Sequence, residues 1–356
     1  MRLRHFEELA PICPRCRAAG RDERPLLVAN IERGTNKELL EGILHCTHEM
    51  CRQEFPVIDG IPIVVPDVGR YLSENLWHLT ARGDLSHSIE TLLGDAAGQS
   101  SAYDSIRSHT STYAYDHWGE FDPEETATRT RPGSVARCLS AGLDLLGGAG
   151  GPVLDVGCSV GRSSFVLAGR VPGLVLGGDL NFSMLRVARQ ALVEGEVRYA
   201  RRRIGLVYDR RCFDVPNEGA ERLDFWVMDA MALPFAQGRF GTVTSLNMLD
   251  CVPDPRAVLV GIGHVLAPDG AGVLATPYDW SVNATQPQGW IGGHSQRGMG
   301  RGAGEPLLRG LLSPGGGTGL RMVGEIEDFP WQVRLHDRSA VSYSTHVIAV
   351  TAEAKA

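Results

Sequence analysis

Four of the eight cysteines lie within the first 51 residues, in two pairs whose spacing suits a metal ion. The first pair is Cys13 and Cys16, a C-x-x-C knuckle, and the second is Cys46 and Cys51, with four intervening residues. Four thiolates can surround Zn²⁺ tetrahedrally and leave no open position, so the pattern predicts a structural zinc site rather than a catalytic one. His48 lies inside the second pair, and its imidazole is an alternative ligand to either of those two thiolates.

The run VLDVGCSVG, residues 153–161, has the pattern of a strand that passes through a glycine turn into a helix. Asp155 lies near the end of this strand, and Gly157 and Gly161 lack a Cβ where a ligand must approach the backbone. The predicted ligand contacts of this turn are Asp155, Gly157, Cys158 and Gly161. A dinucleotide is disfavoured, because the glycines are not spaced as G-x-G-x-x-G and a pyrophosphate needs the closer spacing.

Two further acids follow at the ends of the next predicted strands. Asp179, followed by Leu180, can accept both hydroxyls of a ribose. Asp229 can accept the exocyclic amine of adenine, while the backbone N–H of Ala230 meets a ring nitrogen. Each acid alone is more simply explained as a turn or helix cap, but three acids at three successive strand ends predict one adenosine site. S-adenosylmethionine suits this site because it has no phosphate and its sulfonium is positive.

The predicted fourth strand ends at residues 247–250, beside the expected position of the transferable methyl group. Asn247 is predicted to contact the cofactor, and Asp250 is the candidate to hydrogen-bond an acceptor N–H and orient the acceptor for reaction. Tyr278 follows the fifth strand on the same rim and is the second candidate catalytic residue. The simpler interpretations are a strand-end cap for Asp250 and packing beneath a loop for Tyr278.

These residues require a sheet that brings several strand ends together, and the chain has three stretches of different texture. Residues 1–68 hold the cysteines and the β-rich run FPVIDGIPIVVPD, which predicts a small β-rich module. Residues 69–133 are polar with scattered aromatics, and we interpret them as helices and loops that link the two modules or form a lid. In residues 134–356 strand-like and helical segments alternate, which predicts an α/β domain with a mainly parallel sheet.

Composition narrows the class of protein. Hydrophobic residues make up 43% of the 356 residues and charged residues 22%, as in a soluble globular protein. No apolar run approaches the roughly 20 residues that span a bilayer, and the first residues lack the apolar region of a signal peptide, so a cytoplasmic location without membrane contact is expected. The net charge of −7 argues against nucleic acid as the general partner. One arginine cluster, residues 198–211, is interpreted as a solvated inserted loop, with RNA contact as the alternative.

The segment CPRC…HCTHEMCRQEFPVIDGIPIVVPD, over about residues 10–67, resembles the small zinc-ribbon proteins that activate tRNA and protein methyltransferases. Residues 134–276, which include DAMALPF and HVLAPDGAGVL, resemble class I S-adenosylmethionine-dependent methyltransferases. The resemblance implies a Rossmann-like sheet, preceded here by a zinc ribbon. The chain departs from the family pattern at Ser159, which replaces the middle glycine of the turn, and at Gly241, where the fourth strand often opens with an acid.

Over about residues 150–350 the chain resembles the C-terminal methyltransferase domain of ovothiol synthases. Four segments carry this resemblance in order: GGDLNFSMLRVARQALVEGEVRY, SLNMLDCVPDPRAVL, TPYDWSVNATQPQGWIGG and DFPWQVRLHDRSAVSYSTHVIAV. It implies methylation of an imidazole nitrogen in a mercaptohistidine. The sulfoxide synthase part of those enzymes is absent and a zinc ribbon stands in its place, so the acceptor does not carry over directly.

The leading hypothesis from sequence is therefore an N-methyltransferase of a small polar acceptor, such as a thiol-imidazole or a histidine derivative. The alternative is a methyltransferase that acts on RNA or a translation protein, with the ribbon as a fused activator. A third possibility, a catalytically silent scaffold, would require a blocked cofactor pocket. The oligomeric state is left open by the sequence.

Overall fold

The computed structural model describes residues 1–125 and 130–353. Residues 126–129 of the predicted linker and 354–356 of the predicted α/β domain lie outside the described part. The helices are α1 (Leu3–Leu9), α2 (Pro14–Ala18), α3 (Val68–Thr80), α4 (His87–Ala97), α5 (Ala102–Trp118), α6 (Ser134–Leu146), α7 (Arg162–Arg170), α8 (Phe182–Glu194), α9 (Pro255–Val265) and α10 (Gly304–Leu311). The strands are β1 (Leu26–Gly34), β2 (Leu39–Cys46), β3 (Glu54–Ile58), β4 (Ile61–Val64), β5 (Val153–Val156), β6 (Val175–Asp179), β7 (Glu196–Ile204), β8 (Val207–Asp214), β9 (Leu223–Met228), β10 (Phe240–Leu246), β11 (Leu266–Thr276), β12 (Leu320–His336) and β13 (Ser339–Ala352).

Eleven of these strands form one sheet in the order β1-β2-β3-β4-β9-β6-β5-β10-β11-β13-β12. The five central strands, from β9 to β11, run parallel, and β5 lies between β6 and β10. The residues of β5, β6, β9 and β10 are buried almost without exception, because helices cover both faces of a parallel sheet. The predicted α/β, Rossmann-like architecture is confirmed, and the loops after β5, β6, β9 and β10 share one edge of the sheet.

The two ends of the sheet are antiparallel and differ in origin. At one end β13 pairs with β11 and carries the long hairpin partner β12. At the other end the cysteine-bearing module contributes β1 to β4, and β4 joins β9 in parallel through Ile63 with Val227 and Val64 with Met228. The cysteine-bearing module is thus β-rich, as expected, and its sheet continues into that of the α/β domain.

A buried charge network lies at the junction of the module and the domain. Asp224 on β9 is 0% exposed and accepts the Arg2 backbone N–H at 2.8 Å and the Trp226 indole N–H at 2.9 Å. Arg189 of α8 lies 3.8 Å from the same carboxylate and also contacts Glu38. Burial alone would raise the pKa of Asp224, but the surrounding positive groups outweigh it and hold that pKa below its usual value. The junction is therefore stabilised by polar contacts as well as by strand pairing.

Helices α3 to α5 occupy the stretch predicted as a linker or lid, and two of them contact the loops at the carboxyl edge of the sheet. The Tyr71 hydroxyl of α3 donates to the Leu180 carbonyl at 2.8 Å, and the Trp118 indole of α5 donates to the Val160 carbonyl at 2.9 Å. These bonds join the helices to the loops that follow β6 and β5. Among the described residues no helix combines the length and apolar character needed to cross a bilayer.

The arginine cluster lies on a separate two-stranded hairpin, β7 and β8, rather than on a solvated loop. Arg201 is 8% exposed and pairs with Glu125 at 2.6 Å and with Asp337 at 2.9 Å. Arg211 pairs with Asp122 at 3.5 Å. The expectation of a solvated loop is thus wrong, because these two arginines dock the hairpin onto the domain.

Candidate functional site

The four N-terminal cysteines come together as the spacing predicts. Their sulfur atoms all lie within 4.8 Å of one another. The Cys13 and Cys51 sulfurs are 3.8 Å apart, and those of Cys16 and Cys46 are 3.7 Å apart. Zinc with bonds of about 2.3 Å to four tetrahedral sulfurs separates them by about 3.8 Å, so the cluster has the dimensions of a zinc site. His48 lies outside this cluster, and its Nδ1 accepts the Met50 N–H at 3.1 Å, which favours the four-thiolate set.

The glycine turn after β5 is a narrow cradle at the edge of the sheet. Gly157 has φ +78°, and a Cβ there would lie 2.8 Å from Met248 Cγ. Gly161 has φ +89°, and a Cβ there would lie 2.7 Å from Ala188 Cβ. Both positions therefore require glycine, for conformation and for space. Cys158 as a whole residue is 1% exposed, which does not favour its predicted contact with a ligand.

Asp155 does not face the cleft, contrary to the prediction that it contacts the ligand. It is 2% exposed, and its carboxylate accepts three side-chain hydroxyls, from Ser163 and Ser164 at 2.6 Å each and from Thr244 at 2.8 Å. Burial raises its pKa, and the three hydroxyl donors act in the opposite direction. Asp155 thus ties β5 to β10 and to the start of α7, and acts on the glycine turn by positioning it.

Asp179 lies at the end of β6 and connects two loops. One carboxylate oxygen accepts the Ser159 N–H of the glycine turn at 2.8 Å, and the other accepts the Asn181 N–H at 2.8 Å. Burial raises the pKa of Asp179, against the effect of these two backbone donors. Each oxygen keeps a further lone pair, so the carboxylate can still accept the hydroxyls of a ribose. Leu180 beside it is 47% exposed and could cover one face of a ligand.

Asp229 and Ala230 follow β9, and Asp229 caps the short 3₁₀ turn that begins at Ala230. The Asp229 side chain accepts the Met231 N–H at 2.9 Å and begins the short 3₁₀ turn Ala230–Ala232. The simpler interpretation of this acid is therefore present in the structure. One carboxylate oxygen is used in this way, and the other is available to a donor such as an adenine amine.

The loop after β10 holds Asn247 and Asp250. Asn247 has φ +49°, and its buried Oδ1 has no hydrogen-bond partner among the described residues. Asp250 is 3% exposed, and its Oδ2 accepts the Asp279 backbone N–H at 2.9 Å. Burial raises the pKa of Asp250 to about 6, and the negative charge of Asp279 adds to this effect. Asn247 Oδ1 is therefore an unpartnered hydrogen-bond acceptor on the loop where the sequence predicts that the methyl acceptor binds.

The hydroxyl of Tyr278 points into a polar network instead of being free for an acceptor. It lies 2.7 Å from His346 Nδ1, and the other ring nitrogen of His346 lies 2.8 Å from Glu325, which pairs with Arg309. His346 is 1% exposed. The predicted catalytic role of Tyr278 is thus not supported by its contacts, which anchor the loop that follows β11.

Three residues that interact with Asp250 or with its neighbours were not predicted from the sequence: Tyr113, Asp279 and Tyr343. On β13, the Tyr343 hydroxyl donates to Asp279 Oδ2 at 2.9 Å. Tyr113 of α5 is 41% exposed, yet the surrounding protein, together with Cys251, Asp179 and Asp250, raises its pKa to about 12. No local signal marks these residues, because they come from three distant segments.

Comparison with known proteins agrees with this arrangement. A family described as "Methyltransferase domain" matches residues 154–274. Methyltransferase GfsG of Streptomyces halstedii is 32% identical over 128 residues, which are 36% of this chain and 38% of that protein. A ubiquinone biosynthesis O-methyltransferase of Xanthomonas oryzae is 33% identical over 138 residues, 39% of this chain and 46% of that protein. Residues 154–274 are thus similar to a methyltransferase domain, and the match spans less than half the length of either relative.

Among solved structures, the Haloferax volcanii complex that contains the Trm112 methyltransferase activator has a TM-score of 0.40 and 15% identity, over 71% of this chain and 97% of the matched chain. The fold described above rests on this chain's own strand order, and this weak likeness adds nothing to it.

Proposed function

We propose that the chain transfers a methyl group from S-adenosylmethionine to a nitrogen of a small polar acceptor, such as a thiol-imidazole or a histidine derivative. One observation carries the proposal: Asp179, the candidate ribose ligand, ends β6, and Asp250, the candidate acceptor ligand, follows β10, so both lie at the same edge of the parallel sheet. Both also lie inside the span that matches the methyltransferase domain.

The residues of the cleft fit the cofactor in shape and in chemistry. Gly157 leaves the backbone of the turn without a side chain, as the close approach of a ligand requires, and Asp179 offers lone pairs to a ribose. Asp229 and Ala230 would meet the adenine, with Leu180 beside it. When bound, S-adenosylmethionine supplies a methyl group that is activated for displacement by its positive sulfur.

The protein's own contribution would be to orient and enclose the acceptor. Asp250 in its ionised form would accept an acceptor N–H and so direct the other nitrogen of an imidazole toward the methyl group. Tyr113 and the surrounding helices would limit the access of water. The resemblance to ovothiol synthases supports an imidazole, whereas the relatives named O-methyltransferases make oxygen the main competing acceptor atom.

The alternative of an RNA or translation-protein substrate is disfavoured by Arg201 and Arg211, two of the six arginines of the basic cluster, because both are engaged in ion pairs. For the N-terminal module we propose one structural zinc ion held by Cys13, Cys16, Cys46 and Cys51.

The test is a transfer assay with methyl-labelled S-adenosylmethionine against thiol-imidazoles, histidine, phenols, tRNA and lysate protein. Label in an imidazole nitrogen supports the proposal. Label in phenol oxygen, tRNA or protein alone, or no binding of the cofactor, contradicts it.

A further inference from the structure

The short segment that follows β9, residues 229–232, is held on both sides by contacts with the N-terminal module. Immediately before it, Met228 pairs with Val64 of β4 in the shared sheet. Immediately after it, three successive backbone carbonyls, those of residues 233–235, accept hydrogen bonds from the module. The module therefore contacts the chain directly at each end of the segment that carries the candidate adenine ligands.

The donors of these bonds lie on either side of the first cysteine pair. Before the pair, the Ile12 N–H donates to the Pro234 carbonyl at 2.9 Å. After the pair, the Arg17 side chain donates through Nη1 to the carbonyls of Leu233 and Phe235, at 2.9 and 2.8 Å. The backbone of the loop is thus fastened to a part of the chain that is distant in sequence.

These bonds reach a buried part of the loop. Leu233 and Phe235 are 2% and 0% exposed, so their carbonyls have little access to water as an alternative partner. One local bond also forms, from the Phe235 N–H to the Leu233 carbonyl at 2.9 Å. Removal of the Arg17 guanidinium would therefore leave buried carbonyls with fewer donors, and the loop would have to shift to reach water.

We infer that Arg17 is a positioning residue for the cofactor: it fixes the loop so that the Asp229 carboxylate and the Ala230 N–H meet the adenine together. This inference rests on the proposed function, which assigns these two groups to the adenine. Two groups can recognise one edge of a base only when their positions are fixed, and a shift of about 1 Å in the supporting backbone is enough to weaken such bonds. The N-terminal module would then take part in cofactor recognition through the loop, without touching the cofactor.

Calorimetry with two ligands that differ only in the base tests this inference. S-adenosylhomocysteine presents an amine donor and an unprotonated ring nitrogen, whereas S-inosylhomocysteine presents a carbonyl and a ring N–H at the same edge. The parent protein should bind the adenine form at least about tenfold more tightly, because the inosine form meets Asp229 with an acceptor and the Ala230 N–H with a donor.

Substitutions at Arg17 should change this preference. Arg17→Met removes both bonds and keeps the apolar stem of the side chain. It should weaken the binding of S-adenosylhomocysteine at least about fivefold and lower the preference for adenine at least about threefold, because a displaced loop no longer recognises the base edge. Arg17→Lys keeps a cationic donor and should restore most of the preference.

Arg15→Ala is the matched control. Arg15 lies on the same helix, is exposed and donates to the Gln53 side chain at 2.5 Å, so its loss should leave the affinity for both ligands unchanged. Circular dichroism on heating shows which variants are folded. If Arg17→Met does not fold, Arg17→Gln, whose shorter side chain also gives up the bonds, is measured in its place. If neither folds, Arg17 has a structural role only and the inference fails.

The remaining outcomes separate the inference from the proposed function. A folded Arg17→Met protein that keeps the parent's preference for adenine overturns the inference, even if both ligands bind more weakly, because a uniform loss reports only general stability. Loss of the preference in Arg15→Ala, or no recovery in Arg17→Lys, also contradicts it. If the parent does not bind S-adenosylhomocysteine, the proposed function fails. If the parent binds it without a preference for adenine, the roles of Asp229 and Ala230 fail and the inference fails with them.

Discussion

Replacement of Asp179 by alanine should weaken the binding of S-adenosylhomocysteine by roughly 1.5 to 3 kcal/mol, or about 10- to 150-fold. The carboxylate accepts the N–H groups of Ser159 and Asn181 at 2.8 Å each, and its remaining lone pairs are the candidates for the ribose hydroxyls. A hydrogen bond to a charged group contributes about 1.5 to 3 kcal/mol, so loss of one such contact gives this range. Loss of the two backbone bonds should also lower the thermal stability, because they hold the glycine turn and the start of α8.

Calorimetry with S-adenosylhomocysteine measures the affinity, and circular dichroism on heating shows whether the variant is folded at the assay temperature. Asp254→Ala is a suitable control, since Asp254 caps α9 by accepting the Ala257 N–H at 3.0 Å and is exposed. This control variant should lose about 1 kcal/mol of stability, as is usual when a helix-capping residue is replaced, and its affinity for S-adenosylhomocysteine should be unchanged. A folded Asp179→Ala protein that binds within twofold of the parent would refute the ribose assignment.

Three further outcomes are expected. Cys16→Ser should lose the zinc that the parent holds, about one ion per chain, and unfold at a lower temperature; metal analysis that finds no zinc in the parent would contradict the site. Because the pKa of Asp250 is raised to about 6 and its ionised form is the one that orients an acceptor, kcat/KM should rise as the pH increases through about 6. Asp250→Asn should lack this rise, and a variant that retains it would exclude Asp250 as its source. Asp224→Ala should lower the free energy of unfolding in denaturant by about 3 to 5 kcal/mol, because the buried Arg189 loses this carboxylate as a partner. A decrease below about 1 kcal/mol would contradict the role of the junction.

Local sequence patterns determine much of this fold. The alternation of strand and helix after Ser134 predicts a parallel sheet, and the five central parallel strands confirm it. The acids at residues 179 and 229 do lie at strand ends, because a strand that ends in a polar residue is a local feature of the chain. The cysteine spacing likewise predicts a cluster, and the four sulfurs do converge.

Side-chain partners across long separations were decided by the tertiary structure. Tyr343 contacts Asp279, 64 residues away, because β13 pairs with β11 in a register that no local pattern specifies. The same register sets Thr276 opposite His346, which draws the Tyr278 hydroxyl into a network of its own. Hydrophobic periodicity reports which face of a strand is buried, but not which strand lies next to it.

The relation between the N-terminal module and the domain was also decided at this level. Three of the four residues of Ile61–Val64 are β-branched and predict a strand. Its pairing with β9 rests on edge hydrogen bonds that any exposed strand edge could offer. Asp224 can be buried because Arg2 and Trp226 supply its donors. A carboxylate can be buried only where such partners converge, and their convergence depends on the packing of the whole chain.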